Sequence, residues 1–387
     1  MPEAKRAGLV FAVRRRGREA DMGDVGDPAI RVAVVGTGNA GRLALAQVIA
    51  DPRFDLVAVG VHSPEKVGLD AATIAGAADT TGVVATEGLD AVIAASPQCV
   101  VYCAMGDTRP IEATADVVRL LSAGIHVVGS APGPLQYPWG AMPPKAIDKV
   151  ATAALDHDAA VFITGVDPGF VSDLIPLAFS GTCQHVEQIR CMEIADYATY
   201  DGTEVMVDVM GFGAPLDQTP MLFLPGILGL AWGTSLHQIA AAMDVTIDEI
   251  VERHESEPAP EDFEVATGTI AKGTRAAVRF EIIGMVDGKP GIVIEHVTRL
   301  RGDLRPDWAQ PAQPGGCYRV EITGEPSYRI DICPTSRKGD HNHAAIVAAA
   351  GRIVNAIPAV VAGPAGIRTT LDLPLISGPR LTPTALT

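Results

Sequence analysis

The chain has 387 residues, is 48% hydrophobic and carries a formal net charge of −16 at pH 7. That length predicts two domains with sizeable cores, and the acidic balance argues against a nucleic-acid partner. Six scattered cysteines without C-x-x-C or metal-ligand spacing read as reduced thiols of a cytoplasmic protein, and no uninterrupted apolar run reaches membrane-span length.

Residues 1–28 read as a disordered tail. Arg14, Arg15, Arg16 and Arg18 crowd together, an acidic glycine-rich stretch follows, and no apolar core marks a signal peptide. Met22 is an alternative start. The first element is Ile30–Val35, a β-branched run with the texture of a buried parallel strand. It breaks into Gly36-Thr37-Gly38-Asn39-Ala40-Gly41 and passes into Arg42–Ala50 at helical spacing. Strand, glycine turn and helix are the context that makes G-x-G-x-x-G a dinucleotide-binding fingerprint. Gly36 serves the tight turn, Gly38 the close approach of a pyrophosphate, and Gly41 the packing of helix on strand. The helix N-terminus adds unpaired N–H groups.

A second strand, Asp55–Val61, ends in His62-Ser63-Pro64-Glu65-Lys66. An acid ~20 residues past the glycines would bind the 2′-hydroxyl of NAD. His62, Ser63 and Lys66 suit a 2′-phosphate better, so the expected cofactor is NADP, with NAD as the second choice. Ala85–Ala95 reads as a short helical connection. Cys99–Met105 is a strand whose end brings Ala104 and Met105 towards the cofactor, with Asp107 just beyond. Pro110 opens a helix over Ile111–Ala123, and Ile125–Gly129 is the next strand. It leads into the loop Ser130–Trp139, where Ser130 and Ala131 are expected at the cofactor's reactive end, beyond the carboxyl ends of the strands. Lys145–Asp158 is helical and Ala160–Thr164 is a strand. The turn Gly165-Val166-Asp167-Pro168-Gly169-Phe170 follows, with Asp167 read either as a helix cap or as a substrate contact.

Beyond His185 the texture changes. Glu187–Thr199 reads as a long strand, Glu204–Phe212 and Gly226–Met243 as helices, and Thr246–Glu257 and Asp262–Ala266 as ambiguous. Arg275–Val286, Gly291–Leu300, Cys317–Thr323 and Tyr328–Cys333 read as antiparallel strands, with Asp287-Gly288 a hairpin signal. Asp340–Ala362 is a helix. The expected fold is an α/β protein. A doubly wound Rossmann domain with a parallel sheet spans 29–165. An α+β substrate and oligomerisation domain with a mainly antiparallel sheet spans 166–335. A C-terminal helix and tail over 336–387 pack back on the first domain.

Four stretches in this order, Gly36–Gly41, His62–Lys66, Gly165–Phe170 and Val354-Asn355-Ala356-Ile357-Pro358, make the chain similar to the dihydrodipicolinate-reductase-like family. Within it the chain resembles the branch of 2,4-diaminopentanoate dehydrogenase and the native amine dehydrogenases. The resemblance implies an NAD(P)-dependent oxidoreductase acting on a carbon–nitrogen bond by reductive amination of a ketone or aldehyde with ammonia or the reverse deamination. It also implies a homodimer, and it places Asn355 with the cofactor. A carboxylate in the loop after the fifth strand belongs to this pattern, yet Ser130–Pro138 contains neither Asp nor Glu.

Another acid must then handle the proton. Glu193 lies mid-strand among Cys191, Met192 and Ile194, where burial would raise its pKa towards neutrality. Tyr197, four residues on, shares its strand face. These two are the candidate catalytic pair, the alternative being that Glu193 merely pairs with Arg190. Asp107 is a second candidate acid. Asp167, Phe170, Tyr200 and Trp139 are candidate substrate contacts, with Trp232 a further aromatic wall. His341 and His343 lack a third ligand, so no metal is expected, and they read as a cap or as a contact to the nicotinamide end. Two rival functions remain: a carbonyl or cyclic-imine reductase that does not use free ammonia, and a non-catalytic NADP-binding sensor.

Overall fold

Two sheets organise the chain in a computed structural model that describes residues 28–106, 108–337 and 340–379. The arginine run at 14–18, Met22 and Asp107 lie outside the described residues. The first half alternates β1 (Ile30–Val35), α1 (Asn39–Ala50), β2 (Phe54–Val61), α2 (Ala71–Ala75), β3 (Ala85–Glu87), α3 (Asp90–Ala94), β4 (Cys99–Tyr102), α4 (Pro110–Ser122), β5 (His126–Gly129), α5 (Pro144–Asp156) and β6 (Ala160–Ile163). The strands stand in the order β6-β5-β4-β1-β2-β3, all parallel. Their β-branched cores explain the placement. Val32, Val34, Val100, Val101, Val127 and Val128 are fully buried, as strands covered by helices on both faces must be.

α6 (Leu174–Ser180) leads into β7 (His185–Asp196), α7 (Ile227–Ala242), β8 (Glu249–Pro258), β9 (Phe263–Val265), β10 (Gly268–Ile270), β11 (Arg275–Val286), β12 (Lys289–Arg299), β13 (Gly316–Glu325) and β14 (Tyr328–Ile332). Six of these strands form a sheet ordered β14-β13-β7-β12-β11-β8, and β9 and β10 pair separately. All its pairings are antiparallel except β7 with β12, which run parallel. α7 packs on one face, over β8, β11 and β12. The opposite face carries an ion-pair network in which Arg190 pairs with Glu281 (2.7 Å) and Glu295, and Arg279 also reaches Glu295 (2.7 Å).

The chain closes with α8 (His341–Val361) and β15 (Gly366–Arg368), which returns to the edge of the parallel sheet beside β6. α8 lies against α1. Asn355 Oδ1 accepts from Gln47 Nε2 (3.2 Å) and Arg53 Nη2 (3.1 Å), beside the C-terminal end of α1. The N-terminus of α8 therefore lies towards the other end of α1, at the carboxyl edge of the sheet.

Several expectations are corrected. Ala85–Ala95 splits into β3 and α3, because a three-residue edge strand is too short to display a period. The ambiguous Thr246–Glu257 is largely β8, an edge strand whose charges mask its alternation. β15 was not anticipated. By length and composition α8 is apolar enough to cross a membrane, since Asn355 and Pro358 sit within the helix instead of interrupting it. Its buried residues, including Ile353, Val354, Ile357 and Val360, join the core formed with α1 and the parallel sheet. Asp167 does not cap α6; Asp173 does, accepting from the Leu174 N–H.

Candidate active site

The glycine turn fits a dinucleotide. Gly36 has φ +85°, and a Cβ there would fall 2.4 Å from the Ala104 nitrogen. A Cβ on Gly41 would fall 1.9 Å from the Gly36 carbonyl oxygen, whereas one on Gly38 would meet nothing within 4 Å. The first and third glycines are thus required by packing, and the second leaves a cradle open for a phosphate. Around it stand residues from neighbouring strand ends. Lys66 Nζ donates to the Thr37 carbonyl (3.0 Å) and lies 3.3 Å from its hydroxyl. His62 is exposed and Ser63 half-buried just past β2. Ser130 N–H donates to the Tyr102 carbonyl (3.1 Å), and the Ala131 methyl lies 2.7 Å from where Gly106 would carry a Cβ. Ala104, Met105, Ser130 and Ala131 thus follow β4 and β5 at the carboxyl edge, while Ala40 lies in the first turn of α1. Asn355 is the exception. Its bonds to Gln47 and Arg53 hold it at the opposite end of α1, so its assignment to the cofactor is withdrawn.

Facing this edge is a row of side chains across the second sheet. In register stand His254 on β8, Phe280 on β11, His296 on β12, Glu193 on β7 and Tyr318 on β13. Phe280 stacks on His296 (centroids 4.7 Å, 11°), and Trp232 from α7 meets the same imidazole edge-on (4.6 Å). Asp167 enters from the turn after β6, with Oδ2 2.8 Å from His296 Nε2. On the other side, His296 Nδ1 lies 3.6 Å from Glu193 Oε2. Glu193 Oε1 accepts from the Tyr197 hydroxyl at 2.6 Å, and Tyr200 stacks on Tyr197 (5.3 Å, 26°). One imidazole is therefore held between two carboxylates, with a phenol at the end of the chain. The loop carrying Tyr197 and Tyr200 also touches the glycine turn, where Asn39 Nδ2 donates to Asp201 Oδ1 (3.3 Å).

Burial sets the electrostatics. Glu193 is 7% exposed and His296 4%. Desolvation, reinforced by Asp167, holds the Glu193 pKa above its ordinary value, although His296 and the Tyr197 hydrogen bond pull it down. For His296 burial acts to lower the pKa, but Asp167, Glu193 and Glu295 together outweigh it and leave the imidazole more basic than usual. Burial, then Glu193, pushes the phenols of Tyr197 and Tyr318 well up, keeping them neutral. Asp167 Oδ1, Thr164 Oγ1, Trp232 Nε1 and Thr298 Oγ1 are buried without a hydrogen-bond partner. Such orphans are costly and cluster where a ligand completes the set.

Asp167, Glu193 and His296 present ligand-type atoms within 4.8 Å of one another. The imidazole uses different nitrogens towards the two acids, an arrangement better suited to passing protons than to enclosing one cation.

The structure brings Glu193, Tyr197, Tyr200 and Asp167 into one site. Phe170 lies half-buried in the same turn as Asp167. Trp139 is not brought there; it is 45% exposed and packs edge-on against Tyr137 (5.0 Å), while Trp232 supplies the aromatic wall. Arg190 is not the partner of Glu193, because adjacent-parity residues of β7 face opposite sides. His296 was missed by the sequence reading. The signal was Glu295-His296 within an apolar strand: of two successive polar residues, one must point to each face.

Comparison with known proteins follows the same line. The family model for the 2,4-diaminopentanoate dehydrogenase C-terminal domain matches residues 170–380. An amine dehydrogenase from Streptomyces virginiae is 41% identical over 350 residues, 89% of this chain and 96% of that protein. A 2,4-diaminopentanoate dehydrogenase from Acetoanaerobium sticklandii is 24% identical over 293 residues, covering 74% and 76%. Among solved structures, an amine dehydrogenase from Mycobacterium smegmatis shares the fold at TM-score 0.74 and 18% identity, over 90% of this chain and 97% of that one.

Proposed function

Since the chain belongs to the 2,4-diaminopentanoate dehydrogenase family and is an oxidoreductase with a nicotinamide-binding Rossmann half, we propose that it is an amine dehydrogenase, joining ammonia to a ketone or aldehyde and reducing the product, or running the reverse. The observation that carries this reading is the buried chain Tyr197–Glu193–His296–Asp167 at the carboxyl edge of the parallel sheet.

The proton bookkeeping fits these residues. Glu193, with its raised pKa, takes a proton from ammonium and leaves a neutral nucleophile. Addition to the carbonyl gives a carbinolamine, whose hydroxyl leaves as water when His296 delivers a proton. Asp167 steadies the imidazolium and offers Oδ1 to the substrate N–H. The Tyr197 hydroxyl fixes the orientation of Glu193. The nicotinamide supplies the hydride; Trp232 and Phe280 keep water from the imine carbon. The row from His254 to Tyr318 contains no Lys or Arg, which favours a substrate without a carboxylate.

NADP is the favoured cofactor, because β2 is followed directly by His62 and Ser63 and not by an acid. A cytoplasmic homodimer, paired through the charged face of the six-stranded sheet, belongs to the same reading; six unpaired cysteines and the self-complementary Arg190, Arg279, Glu281 and Glu295 support it.

The test is cofactor oxidation by the purified protein with NADPH and a panel of ketones and aldehydes, with and without ammonia. Ammonia-dependent turnover is expected. Turnover that ignores ammonia would select a carbonyl reductase, and tight cofactor binding without any turnover would select a sensor.

A further inference from the structure

The first residue of α8 has no role in the proton chain, yet it is a polar group placed at the site. His341 is 5% exposed, and neither ring nitrogen has a hydrogen-bond partner of normal geometry. Its ring lies 5.7 Å from that of Tyr318, which stands directly beside Glu193 in the cross-strand row. Gly316 makes room for it, since a Cβ there would fall 2.4 Å from His341 Cδ2. The helix start is anchored. Asp340 accepts from the Asn342 N–H (2.8 Å), and Asn342 Nδ2 donates to the Asp196 carbonyl and the Thr199 hydroxyl, both at 2.9 Å. The imidazole is thus held beside Tyr318, on the face that carries Glu193, by a helix that also packs on β4 and β5 of the parallel sheet.

Burial lowers the His341 pKa despite the nearby Asp340 and the Pro334 carbonyl, so the ring is neutral near pH 7. A neutral imidazole offers one N–H donor and one bare acceptor. A primary carboxamide offers the complement: an acceptor oxygen and NH2 donors. The other amides at this edge are committed elsewhere: Asn39 to Asp201, Gln136 to Asp173 (3.3 Å), and Asn342 as above.

We propose that His341 recognises the carboxamide of the nicotinamide ring, fixing which ring face is turned towards Glu193. This rests on the nicotinamide cofactor, not on the identity of the substrate. Because the proposed contact is with the amide alone, the adenosine and pyrophosphate parts of the cofactor should bind independently of it.

The test is equilibrium binding followed by intrinsic fluorescence or calorimetry on the full chain. Wild type, His341→Leu and His341→Gln are titrated with NADP+, with its 3-acetylpyridine analogue and with 2′-phospho-ADP-ribose; NAD+ and ADP-ribose are run in parallel. Wild type should prefer NADP+ over the acetylpyridine analogue by about tenfold, the scale of one buried hydrogen bond. His341→Leu should erase that preference while binding 2′-phospho-ADP-ribose as wild type does. His341→Gln, which again offers a donor and an acceptor, should restore it. Equal wild-type affinity for the two dinucleotides overturns the proposal on unmutated protein. So does a His341→Leu variant that loses the ADP-ribose fragment as severely as NADP+. If wild type binds none of these ligands, it is the nicotinamide cofactor itself that fails.

Discussion

Asn39 and Asp201 meet at 3.3 Å, so a residue of the glycine motif is bonded to the loop that carries Tyr197 and Tyr200. The two halves of the molecule therefore touch at the point where a pyrophosphate would lie. A carboxylate there opposes the phosphates. Asp201→Asn keeps the shape and removes the charge. Cofactor affinity should rise by about three- to tenfold at low ionic strength and converge with wild type as salt screens the exposed site. Titration at two salt concentrations measures this, and unchanged affinity at low salt would show that Asp201 lies out of range.

Glu193→Gln should separate chemistry from binding. The amide retains a group for Tyr197 to bond but cannot take a proton, so kcat should fall by about 10²–10⁴-fold. Cofactor Kd should stay within twofold. Tyr197→Phe frees Glu193 to turn and should cost about tenfold in kcat, with ammonia KM raised. Single-turnover kinetics and cofactor titration of both variants check the separation.

The two titrating groups at the centre of the site give stability a direction with pH. The fold holds protons on both Glu193 and His296 more tightly than their ordinary values of 4.5 and 6.5. For a raised pKa, the stabilisation is complete below the unfolded value and is lost as pH rises through the folded one. The Glu193 contribution should therefore be lost as pH rises above about 4.5 and the His296 contribution above about 6.5, so wild-type Tm should decline across both windows. Glu193→Gln, a permanent mimic of the protonated acid, should decline less. Thermal melts across that range would contradict the assignment if the variant fell as steeply as wild type. The rate should be bell-shaped with pH, with apparent values that belong to the pair.

Two alanine substitutions three residues apart, at Gly38 and Gly41, should differ in their effect on stability. Gly38→Ala adds a methyl into open space, so the fold should melt within about 2 °C of wild type while cofactor affinity drops at least tenfold. Gly41→Ala drives its methyl onto the Gly36 carbonyl and should lose both stability and binding. Calorimetric Tm and cofactor Kd together distinguish them.

Five strands of the parallel sheet, β1, β2, β4, β5 and β6, were legible because each is a short apolar run, so Ile30–Val35 reads as one element and is one, whereas β3 and β15 are three-residue edge strands too short to show a pattern. Glu193 was legible as a lone acid in an apolar strand, and Tyr197 as its neighbour four residues on, although Tyr197 falls just past the end of β7 and reaches Glu193 from the loop. His296 and its ion pair with Asp167 were not legible. They depend on β7 and β12 running parallel and in register, a pairing set by tertiary packing over a long separation in the chain. Asn355 misled for a related reason. A motif marks which residues recur together, but a 21-residue helix has two ends about 30 Å apart, and only the Gln47 and Arg53 contacts reveal which end it occupies.

The ion pairs behind the site have an effect through the sheet. Glu295 points away from the reacting face, yet its charge is among those that make His296 more basic. Arg190 and Arg279 hold that charge in check from the far side. The sheet thus acts as a thin membrane between two charged compartments, and the outer one biases the acid strength of the inner. Glu295 is the last of the charges that raise the imidazole, after Asp167 and Glu193, so the outer face makes a minor contribution to the acid strength of the inner one.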